Sequence, residues 1–504
     1  MTKDVRTERL HKALGFSVLD KEVPESTQYL TDQTFASLKE LSKPTLQAID
    51  EVCMYQFMTK VQFATLPTIM NGKDVLAKAK TGTGKTLAFL LPVVETIVAA
   101  SDAPAVTALI LSPTRELANQ IHAEAQHLTK FHREIRTACF IGGMRISKNT
   151  ATLDKNTVLD IVVATPGRLL DLLDNDIKGL VHRCSQLKFV ILDEADQLLD
   201  MGFRAKLESI LKFLPIHRQT LLFSATLPES LKDIQRLALK PDHVFIDTIE
   251  KAEHDTNEQV VQEYLVCSLQ DTITVLECCL KQYMENDRFK IIVFFPTARI
   301  AAFMADLFTT SNFPIVEMHS RKTQSYRTKT AGYFRENKNV IMFSSDVSAR
   351  GVDYPGVSNI IQMGLTTNEQ YIHRLGRTAR AGASGKGLLI LARFEAAFLM
   401  ELKNLPLEEV EGPELARFRS TTKEKIESLL QNETLKLSAE RAYQAFLGYY
   451  NNNLKRLSLD KVQCVAIATE YAQTIGFVDE VPALEKKTIG KMGLKGVAGI
   501  RIKK

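Results

Sequence analysis

Seven apolar runs, each ending in a small polar motif, constrain the fold of this chain more than any other feature. Runs of four to six apolar residues between polar motifs are typical of strands that are buried on both faces. The segments between them have a helical pattern, as in ELANQIHAEAQHLTKF at 116–131. This alternation predicts an α/β fold with parallel sheets and helices on both faces. The runs form two groups, which predict two domains: 106–114, 160–168, 189–196 and 220–226, then 291–297, 340–346 and 359–364.

The remaining segments suggest how the 504 residues are divided. A charged stretch without a sustained apolar period separates the two groups and is interpreted as a linker. After residue 404 the apolar residues recur at three- and four-residue spacing, which indicates helices. The predicted organisation is a loosely ordered segment (1–30), a first domain (31–245), a linker (246–262), a second domain (263–403) and a helical extension with a basic tail (404–504).

The segment AKTGTGKT at 79–86 predicts a nucleotide site. The polar motifs stand at the carboxyl ends of the apolar runs, where parallel sheets bind ligands. Small residues let backbone N–H groups surround phosphate oxygens. Lys85 can reach the outer phosphates, and Thr86 can ligate Mg²⁺. The alternative is a glycine-rich turn before a helix. The candidate nucleotide-binding residues of this loop are Ala79, Thr81, Gly82, Thr83, Gly84, Lys85 and Thr86.

Three acidic residues follow the apolar run 189–192: Asp193, Glu194 and Asp196. Carboxylates this close together repel one another, so a cation is expected beside them. With a phosphate loop upstream, Asp193 is the expected partner of Mg²⁺, and Glu194 is the expected base that orients and activates water. A solvated acidic turn is the alternative.

Composition permits several partners and argues against some classes of protein. The hydrophobic fraction is 45%, and no apolar stretch is long enough for a membrane span. The first residues lack the apolar core of a secretory signal. The seven cysteines show no CxxC spacing, which is typical of reduced thiols in an intracellular protein and argues against a structural zinc site. A net charge of +5 allows a polyanionic partner without requiring one.

From Tyr55 to about residue 400 the motifs VQ, AKTGTGKT, PTREL, GG, TPGR, DEAD, SAT, SARGVD and HRLGRTAR occur in the order of the DEAD-box RNA helicases, which the chain resembles. The resemblance implies two RecA-like domains in tandem, ATP and Mg²⁺ as cofactors, and RNA-stimulated ATP hydrolysis that locally unwinds or remodels short RNA duplexes. An ATP-gated RNA clamp, or assembly platform, with little unwinding is the alternative. The SAT motif and the arginines of HRLGRTAR argue against a P-loop kinase or a transporter ATPase.

The resemblance also implies roles around the nucleotide. Gln62 would read adenine and Tyr55 would stack on it, although Tyr55 could instead be a core aromatic residue. Met54 and Met58 stand where the family usually has glycine and proline. Asp353 would hold the ribose.

The second domain and the SAT motif would complete the reaction. Arg377 and Arg380 would supply cations to the γ-phosphate, because charge on the transferring phosphoryl group must be met by fixed cations. Ser224 and Thr226 would couple the phosphate state to domain closure, unless they are ordinary caps at a strand end.

RNA would be bound through its backbone, to which arginines, hydroxyls, backbone N–H groups and helix N-termini are suited. PTREL could also be simply a loop followed by a helix start. The candidate RNA-binding residues are Thr114, Arg115, Gly143, Thr165, Gly167 and Arg168, then Gln324, Arg327, Ser345 and Asp346.

The C-terminal extension resembles that of mitochondrial-type DEAD-box RNA chaperones and their plant relatives, in which it packs on the second domain and adds RNA-binding surface. Residues 486–504 carry seven Lys or Arg and no acid. These cations could attract phosphates or could serve as a solubilising tail. The resemblance suggests a mitochondrial location, with nucleus and cytoplasm as the other possibilities. We expect a monomer.

Overall fold

The computed structural model describes residues 29–100, 106–153, 159–249, 260–348, 354–378, 385–415 and 419–503. These residues form two compact units, a first domain within 29–249 and a second domain within 260–503. The predicted ribose residue Asp353, the predicted finger Arg380 and nearly all of the segment 1–30 lie outside the described residues. In the described part of the chain no helix has the length and apolar character needed to cross a bilayer.

The first domain contains a seven-stranded sheet in which every strand pairs in parallel, in the order β5-β6-β4-β7-β8-β3-β9. A short antiparallel pair, β1 with β2, precedes it. The strands are β1 (Leu30–Thr34), β2 (Phe57–Thr59), β3 (Val75–Lys78), β4 (Ala108–Leu111), β5 (Thr137–Phe140), β6 (Ile161–Ala164), β7 (Phe189–Leu192), β8 (Gln219–Ser224) and β9 (Val244–Asp247).

Helices cover both faces of this sheet. Alternate strand residues belong to two different apolar clusters: Ala108 and Ile110 to one, Leu109 and Leu111 to the other. This is the period-two alternation of a strand buried on both faces. The helices are α1 (Lys43–Ala48), α2 (Lys60–Met70), α3 (Lys85–Ala99), α4 (Arg115–Leu128), α5 (Ile146–Thr152), α6 (Pro166–Asp174), α7 (Leu180–Arg183), α8 (Ala195–Asp200), α9 (Arg204–Lys212) and α10 (Leu231–Ala238), with a π-helical turn at Ile49–Cys53 and 3₁₀ turns at Phe35–Ser37, Ile177–Gly179 and Cys184–Gln186.

The second domain contains another seven-stranded parallel sheet, in the order β12-β13-β11-β14-β15-β10-β16. Its edge strand β16 comes from the segment predicted to be helical, and β10 begins inside the predicted linker 246–262. These two segments are short or alternate in polarity, so neither shows a continuous apolar run. The strands are β10 (Val260–Cys267), β11 (Lys290–Phe294), β12 (Ile315–Met318), β13 (Val340–Ser344), β14 (Asn359–Met363), β15 (Gly385–Ala392) and β16 (Leu407–Glu409).

The helices of the second domain include those of the C-terminal extension. A single apolar cluster joins strand residues such as Val293 and Leu389 to Phe446 and Ala468 of the extension. The extension is therefore part of the core of the second domain. The helices are α11 (Thr272–Met284), α12 (Ala298–Thr310), α13 (Gln324–Glu336), α14 (Asn368–Leu375), α15 (Arg419–Leu430), α16 (Glu433–Asn451), α17 (Leu454–Leu457), α18 (Lys461–Thr474) and α19 (Lys486–Lys491), with 3₁₀ segments at Leu269–Asp271, Asp346–Ser348 and Arg393–Leu402.

The predicted fold class is confirmed: two parallel sheets in tandem, each with helices, followed by a helical extension. All seven apolar runs form strands, and they are neighbours in the interior of the two sheets. The motifs that follow them consequently stand at the carboxyl edge of each sheet.

Candidate nucleotide and RNA site

The phosphate loop runs from the end of β3 to the first residue of α3. Gly82 and Gly84 have φ angles of +78° and +86°, a left-handed conformation that favours glycine. A side chain at Gly84 would also place its Cβ only 2.6 Å from Nε2 of Gln62. The backbone thus turns tightly into the N-terminus of a 15-residue helix, whose first N–H groups and positive dipole end favour phosphate.

Lys85 is the cation that the acidic motif requires. Its Nζ lies 3.3 Å from Oε1 of Glu194 and 3.4 Å from the carbonyl oxygen of Ala79. Lys85 is only 6% exposed, and Asp193 and Glu194 are each 3% exposed. A buried carboxylate needs a charged or hydrogen-bonding partner. The acidic motif is therefore a buried cluster built onto the phosphate loop, not a solvated turn.

Asp193 has the properties of a metal ligand. Burial and the negative charge of Glu194 raise the pKa of Asp193 to about 7, while Lys85 acts in the opposite direction. Its Oδ1 atom is buried and has no hydrogen-bond partner among the described residues. A hard divalent cation would satisfy this oxygen and favour the charged carboxylate. Asp193 therefore fits Mg²⁺, and the other predicted ligand, Thr86, is the second residue of α3.

Glu194 has an unusual backbone conformation. Its φ and ψ are +49° and +56°, and it caps the N-terminus of α8 directly after β7. A non-glycine residue in this region is strained by about 1–2 kcal/mol. Such strain persists where the surroundings fix the residue and is concentrated at functional sites. The turn from β7 into α8 thus holds Glu194 beside Lys85 at a cost in local stability.

The third acid, Asp196, connects the DEAD motif to the SAT motif. Its Oδ2 accepts hydrogen bonds from Thr226 Oγ1 at 2.8 Å and from Thr226 N at 3.1 Å, and its own N–H donates to Ser224 Oγ. Ser224 and Thr226 therefore do more than cap a strand. Sequence reasoning assigned no role to Asp196, although a buried acid next to strand-end hydroxyls was the available signal, because β7 and β8 are adjacent.

Gln62 is attached to the phosphate loop. Its Nε2 donates to the carbonyl of Gly84 at 3.0 Å, and its Oε1 accepts from the N–H of Thr59 at 2.8 Å. The Thr59 hydroxyl in turn accepts from the N–H of Gln62, which completes a capping box at the start of α2. Thr59 was not among the sequence candidates, although its T-x-x-Q spacing is the signature of this motif.

The two departures from the family pattern have different structural outcomes. Met54 adopts φ +56°, a left-handed position at which glycine would be unstrained, and its side chain is exposed. Met58 is buried in the core of the first domain. Tyr55 is 50% exposed, so it is not a core aromatic residue and remains a candidate for stacking on a base.

The three predicted RNA motifs of the first domain lie against one another. Thr114 caps α4 by accepting a hydrogen bond from Leu117 N. The guanidinium of Arg115 lies so close to Gly143 that a Cβ there would be 2.0 Å from Nη1. The N–H of Gly142 donates to Thr165 Oγ1 at 3.3 Å.

The TPGR motif is joined to the same loop through its arginine. Arg168 donates to the carbonyl of Met144 at 2.8 Å and also contacts Asn149. Gly167, one residue before it, lies in the first turn of α6. The structure thus brings the six predicted RNA residues of this domain together at one edge of the sheet.

In the second domain the predicted RNA residues follow β12 and β13. Gln324 is the first residue of α13, and both it and Arg327 are largely buried. Ser345 and Asp346 follow β13. Asp346 is bound by Arg374, whose Nε and Nη2 lie 2.8 and 2.7 Å from its Oδ1. Asp346 thus already holds a buried arginine of the HRLGRTAR motif, a contact that sequence reasoning did not foresee.

Comparison with known proteins agrees with this geometry. The DEAD/DEAH box helicase model matches residues 59–234, and the helicase conserved C-terminal domain matches residues 271–382. The DEAD-box ATP-dependent RNA helicase 26 of Oryza sativa subsp. japonica is 45% identical over 463 residues, which cover 92% of this chain and 85% of the relative. The chain belongs to the DEAD-box helicase family. DEAD-box ATP-dependent RNA helicase 31 of the same organism is 44% identical over 94% of this chain and 86% of its own length.

A solved structure extends the likeness of this DEAD-box protein to the whole described fold. This chain superimposes on Mss116p with a TM-score of 0.83 at 28% identity. That structure is of an NTE and C-tail double deletion bound to single-stranded RNA and AMP-PNP. The match covers 95% of this chain and 99% of that one. It therefore includes residues beyond 382, where the family models end.

The extension of this DEAD-box protein is attached through polar contacts as well as the apolar cluster. Arg419 forms a bidentate pair with Asp271, with both distances at 2.8 Å. Buried Glu277 accepts from Thr422 and Lys425 of α15. Burial alone would raise the pKa of Glu277, but hydrogen bonds from Lys281, Lys425 and Thr422 outweigh burial and lower it. These contacts fix α15 to α11.

The basic tail is partly packed and partly exposed. Ile489 and Leu494 are buried in the core of the second domain, and the backbone at Leu484 pairs with that at Ile502. The charged side chains remain outside. The exposed cations of the tail are Lys486, Lys487, Lys491, Lys495, Arg501 and Lys503.

Proposed function

We propose that this protein is an RNA-stimulated ATPase that uses ATP binding and hydrolysis to separate or remodel short RNA duplexes. The observation that carries the proposal is the buried cluster of Lys85, Asp193 and Glu194 on a glycine-formed phosphate loop. Its composition is that of a phosphoryl-transfer site, with a fixed cation, a metal-ligating oxygen and a carboxylate base. The relatives at 44–45% identity, named as ATP-dependent RNA helicases, support the RNA-dependent activity.

The residues of the first domain divide the chemical work. Lys85 binds the outer phosphates, and Glu194 orients water and accepts its proton as the phosphoryl bond breaks. Asp193 and Thr86 would hold Mg²⁺, which supplies positive charge to the phosphates when bound. Gln62 recognises adenine from its position on Gly84.

The second domain and the Asp196 network make hydrolysis depend on the ligands. Arg377 and Arg380 supply cations to the γ-phosphate, and Asp353 holds the ribose. Asp196, Ser224 and Thr226 transmit the state of the phosphate site, because they share hydrogen bonds with the turn that carries Glu194. ATP and RNA then both shift the population of molecules toward the same closed state of the two domains.

The deciding experiment is steady-state ATP hydrolysis by the purified chain, without nucleic acid, with single-stranded RNA and with DNA of the same sequence. We expect strong stimulation by RNA alone and no hydrolysis by Glu194→Gln. Release of a labelled strand from a short RNA duplex is then measured with ATP. Hydrolysis that ignores RNA would contradict the proposal. RNA-stimulated but slow hydrolysis, with long residence on RNA and no strand release, would instead indicate an ATP-gated clamp.

We also propose that the protein acts as an intracellular monomer. All seven cysteines are free thiols in the structure, and burial raises the pKa of several, including Cys139 and Cys184, to about 12. Such thiols are unreactive and persist in a reducing compartment. Sedimentation of the purified chain tests the monomer, and imaging of the tagged protein tests the location.

A further inference from the structure

The loop between β14 and α14 leads into the helix that precedes Arg377. The loop comprises Gly364, Leu365 and Thr366, and Thr367 then caps α14 by accepting from Gln370 N. Helix α14 has eight residues, or about 12 Å of rise. Two residues beyond its end stands Arg377, the described candidate for the arginine finger. The placement of this loop therefore determines the placement of Arg377.

Two side chains of the C-terminal extension hold the carbonyls of this loop. Tyr449 of α16 donates from its hydroxyl to the carbonyl of Leu365 at 2.7 Å. Arg456 of α17 donates from Nη2 to the carbonyl of Thr366 at 2.6 Å. Leu365 and Thr366 are fully buried, so these carbonyls depend on protein donors.

The donors themselves are held in place. Arg456 also pairs with Glu401 through Nε and Nη2, at 3.1 and 2.8 Å, and its guanidinium lies 5.7 Å from the ring centre of Phe398. A planar guanidinium that makes several directed contacts has little rotational freedom left. Arg456 therefore connects the extension, the segment Arg393–Leu402 and the loop rigidly.

A buried carboxylate secures the loop from its other side. Glu395 accepts hydrogen bonds from the N–H of Leu365 at 2.7 Å and from the hydroxyl of Tyr450. Gly364 has φ +73°, and a Cβ there would lie 2.9 Å from Glu395 Oε1. The loop is consequently enclosed by Glu395 and by three residues of the extension, Tyr449, Tyr450 and Arg456.

We propose that Tyr449 and Arg456 are positioning residues for ATP hydrolysis: they hold the start of α14 so that Arg377 at its far end is correctly placed for the γ-phosphate. This inference rests on the proposed function of Arg377. It gives the extension a role in the chemical step, whereas the family models end at residue 382, before the extension begins.

The physical basis is that an arginine acts on a transition state only from a fixed position. Displacement of catalytic groups by about 1 Å can cost about a hundredfold in rate. Loss of one hydrogen bond to a buried carbonyl leaves that carbonyl unsatisfied and allows the loop to shift. Apart from Asp353, the ATP-binding residues are assigned to the first domain, so the effect should fall mainly on kcat and leave KM for ATP nearly unchanged.

The test uses Tyr449→Phe and Arg456→Met in the full-length chain, with RNA-stimulated ATP hydrolysis as the measurement. We expect each to lower kcat about fivefold, the effect of one lost hydrogen bond to the loop. Each change is then made in an Arg377→Ala background. If Tyr449 and Arg456 act through Arg377, neither should lower kcat further in that background, since coupled residues are not additive.

Two matched variants control for general damage to the extension. Tyr443→Phe removes a buried hydroxyl from the same helix, but this hydroxyl has no hydrogen-bond partner among the described residues. Arg419→Met removes an arginine–carboxylate pair that anchors the extension at Asp271 and involves no atom of the loop. Both should keep the kcat of the unmodified chain.

Three outcomes would overturn the inference: an unchanged kcat in Tyr449→Phe and Arg456→Met, an equal loss in the control variants, or a further loss in the Arg377→Ala background. Full activity of Arg377→Ala alone would have a different meaning. It would show that Arg377 is not the arginine finger. That result would contradict part of the proposed function, on which the positioning role depends.

Discussion

The two domains share a sheet topology but differ in what holds their functional residues. In the first domain three site residues are held by others within residues 59–234: Gln62 by Thr59, Lys85 by Glu194 and Thr226 by Asp196. In the second domain the loop before α14 is held by Tyr449 and Arg456, from the C-terminal extension. A helicase motif of the second domain thus contacts, through the loop before α14, a region that is not part of the helicase family model.

The strongest test of this comparison is removal of the extension. A second-domain fragment of residues 260–412 should fail to fold, whereas fragments 29–249 and 260–503 should unfold cooperatively. Each buried side chain such as Phe446, Leu447 or Tyr450 contributes about 2 kcal/mol. Several of them together match the whole stability of a domain, about 5–15 kcal/mol. Circular dichroism during heating measures this, and a cooperative transition in fragment 260–412 would show that the second domain is self-sufficient.

Substitution of Lys85 should have the next largest effect, a loss of ATP hydrolysis that arises in the first domain. Lys85→Ala is expected to reduce ATP hydrolysis at least about a hundredfold, because the phosphates lose their fixed cation. Binding of a fluorescent ATP analogue and steady-state turnover are measured together. Lys73→Ala is the matched control, since Lys73 is an exposed lysine in a surface pair with Asp242. Normal turnover in Lys85→Ala would remove the nucleotide site assigned here.

Four neighbouring strands of the first sheet and three of the second were predicted from apolar runs, but the interior strands β10 and β15 were missed together with the edges. Central strands such as β4 and β7 are buried on both faces and appear in the sequence as unbroken apolar runs. Edge strands such as β9 and β12 bury few side chains and give no such run. The short strand β16 could not be predicted from its own sequence, because its position depends on pairing with β10, which is a long-range contact.

The same distinction holds for the site. Motifs made Lys85 and Asp193 candidates, because phosphate and metal chemistry restricts both residue type and spacing, and the family resemblance made Gln62 one. Motifs could not identify Asp196 as the partner of Thr226, nor Arg374 as the partner of Asp346, because these contacts join residues about thirty positions apart. Only the packing of neighbouring strand ends brings them together.

Disruption of the Asp196 network should have a smaller effect than loss of Lys85. Thr226→Val removes the hydroxyl that donates to Asp196 and keeps the shape of the side chain. A hydrogen bond to a buried carboxylate contributes about 1.5–3 kcal/mol, so strand release should fall about tenfold or more. If the network couples hydrolysis to unwinding, ATP consumed per released strand should rise, which parallel ATPase and strand-release assays measure. Equal losses in both assays would indicate a purely structural network.

The smallest effect, on RNA affinity, should come from the basic tail. This one segment contains both packed apolar side chains and exposed lysines. Deletion of residues 485–504 would also remove buried Ile489 and Leu494, so substitution of the exposed lysines is the cleaner change. Replacing Lys486, Lys487, Lys491, Lys495 and Lys503 by glutamine should weaken binding of single-stranded RNA about three- to tenfold near 0.1 M salt.

The salt dependence of that binding identifies the cause. The logarithm of the binding constant falls with the logarithm of salt concentration by about 0.7 for each neutralised phosphate of a single strand. The substituted tail should therefore give a shallower slope, by about 2 if three lysines contact phosphates. Lys73→Gln with Lys232→Gln, which removes two exposed lysines of the first domain, should leave the slope unchanged. An unaltered slope in the tail variant would mean that the segment serves the core through Ile489 and Leu494 and that its charges only keep the surface hydrated.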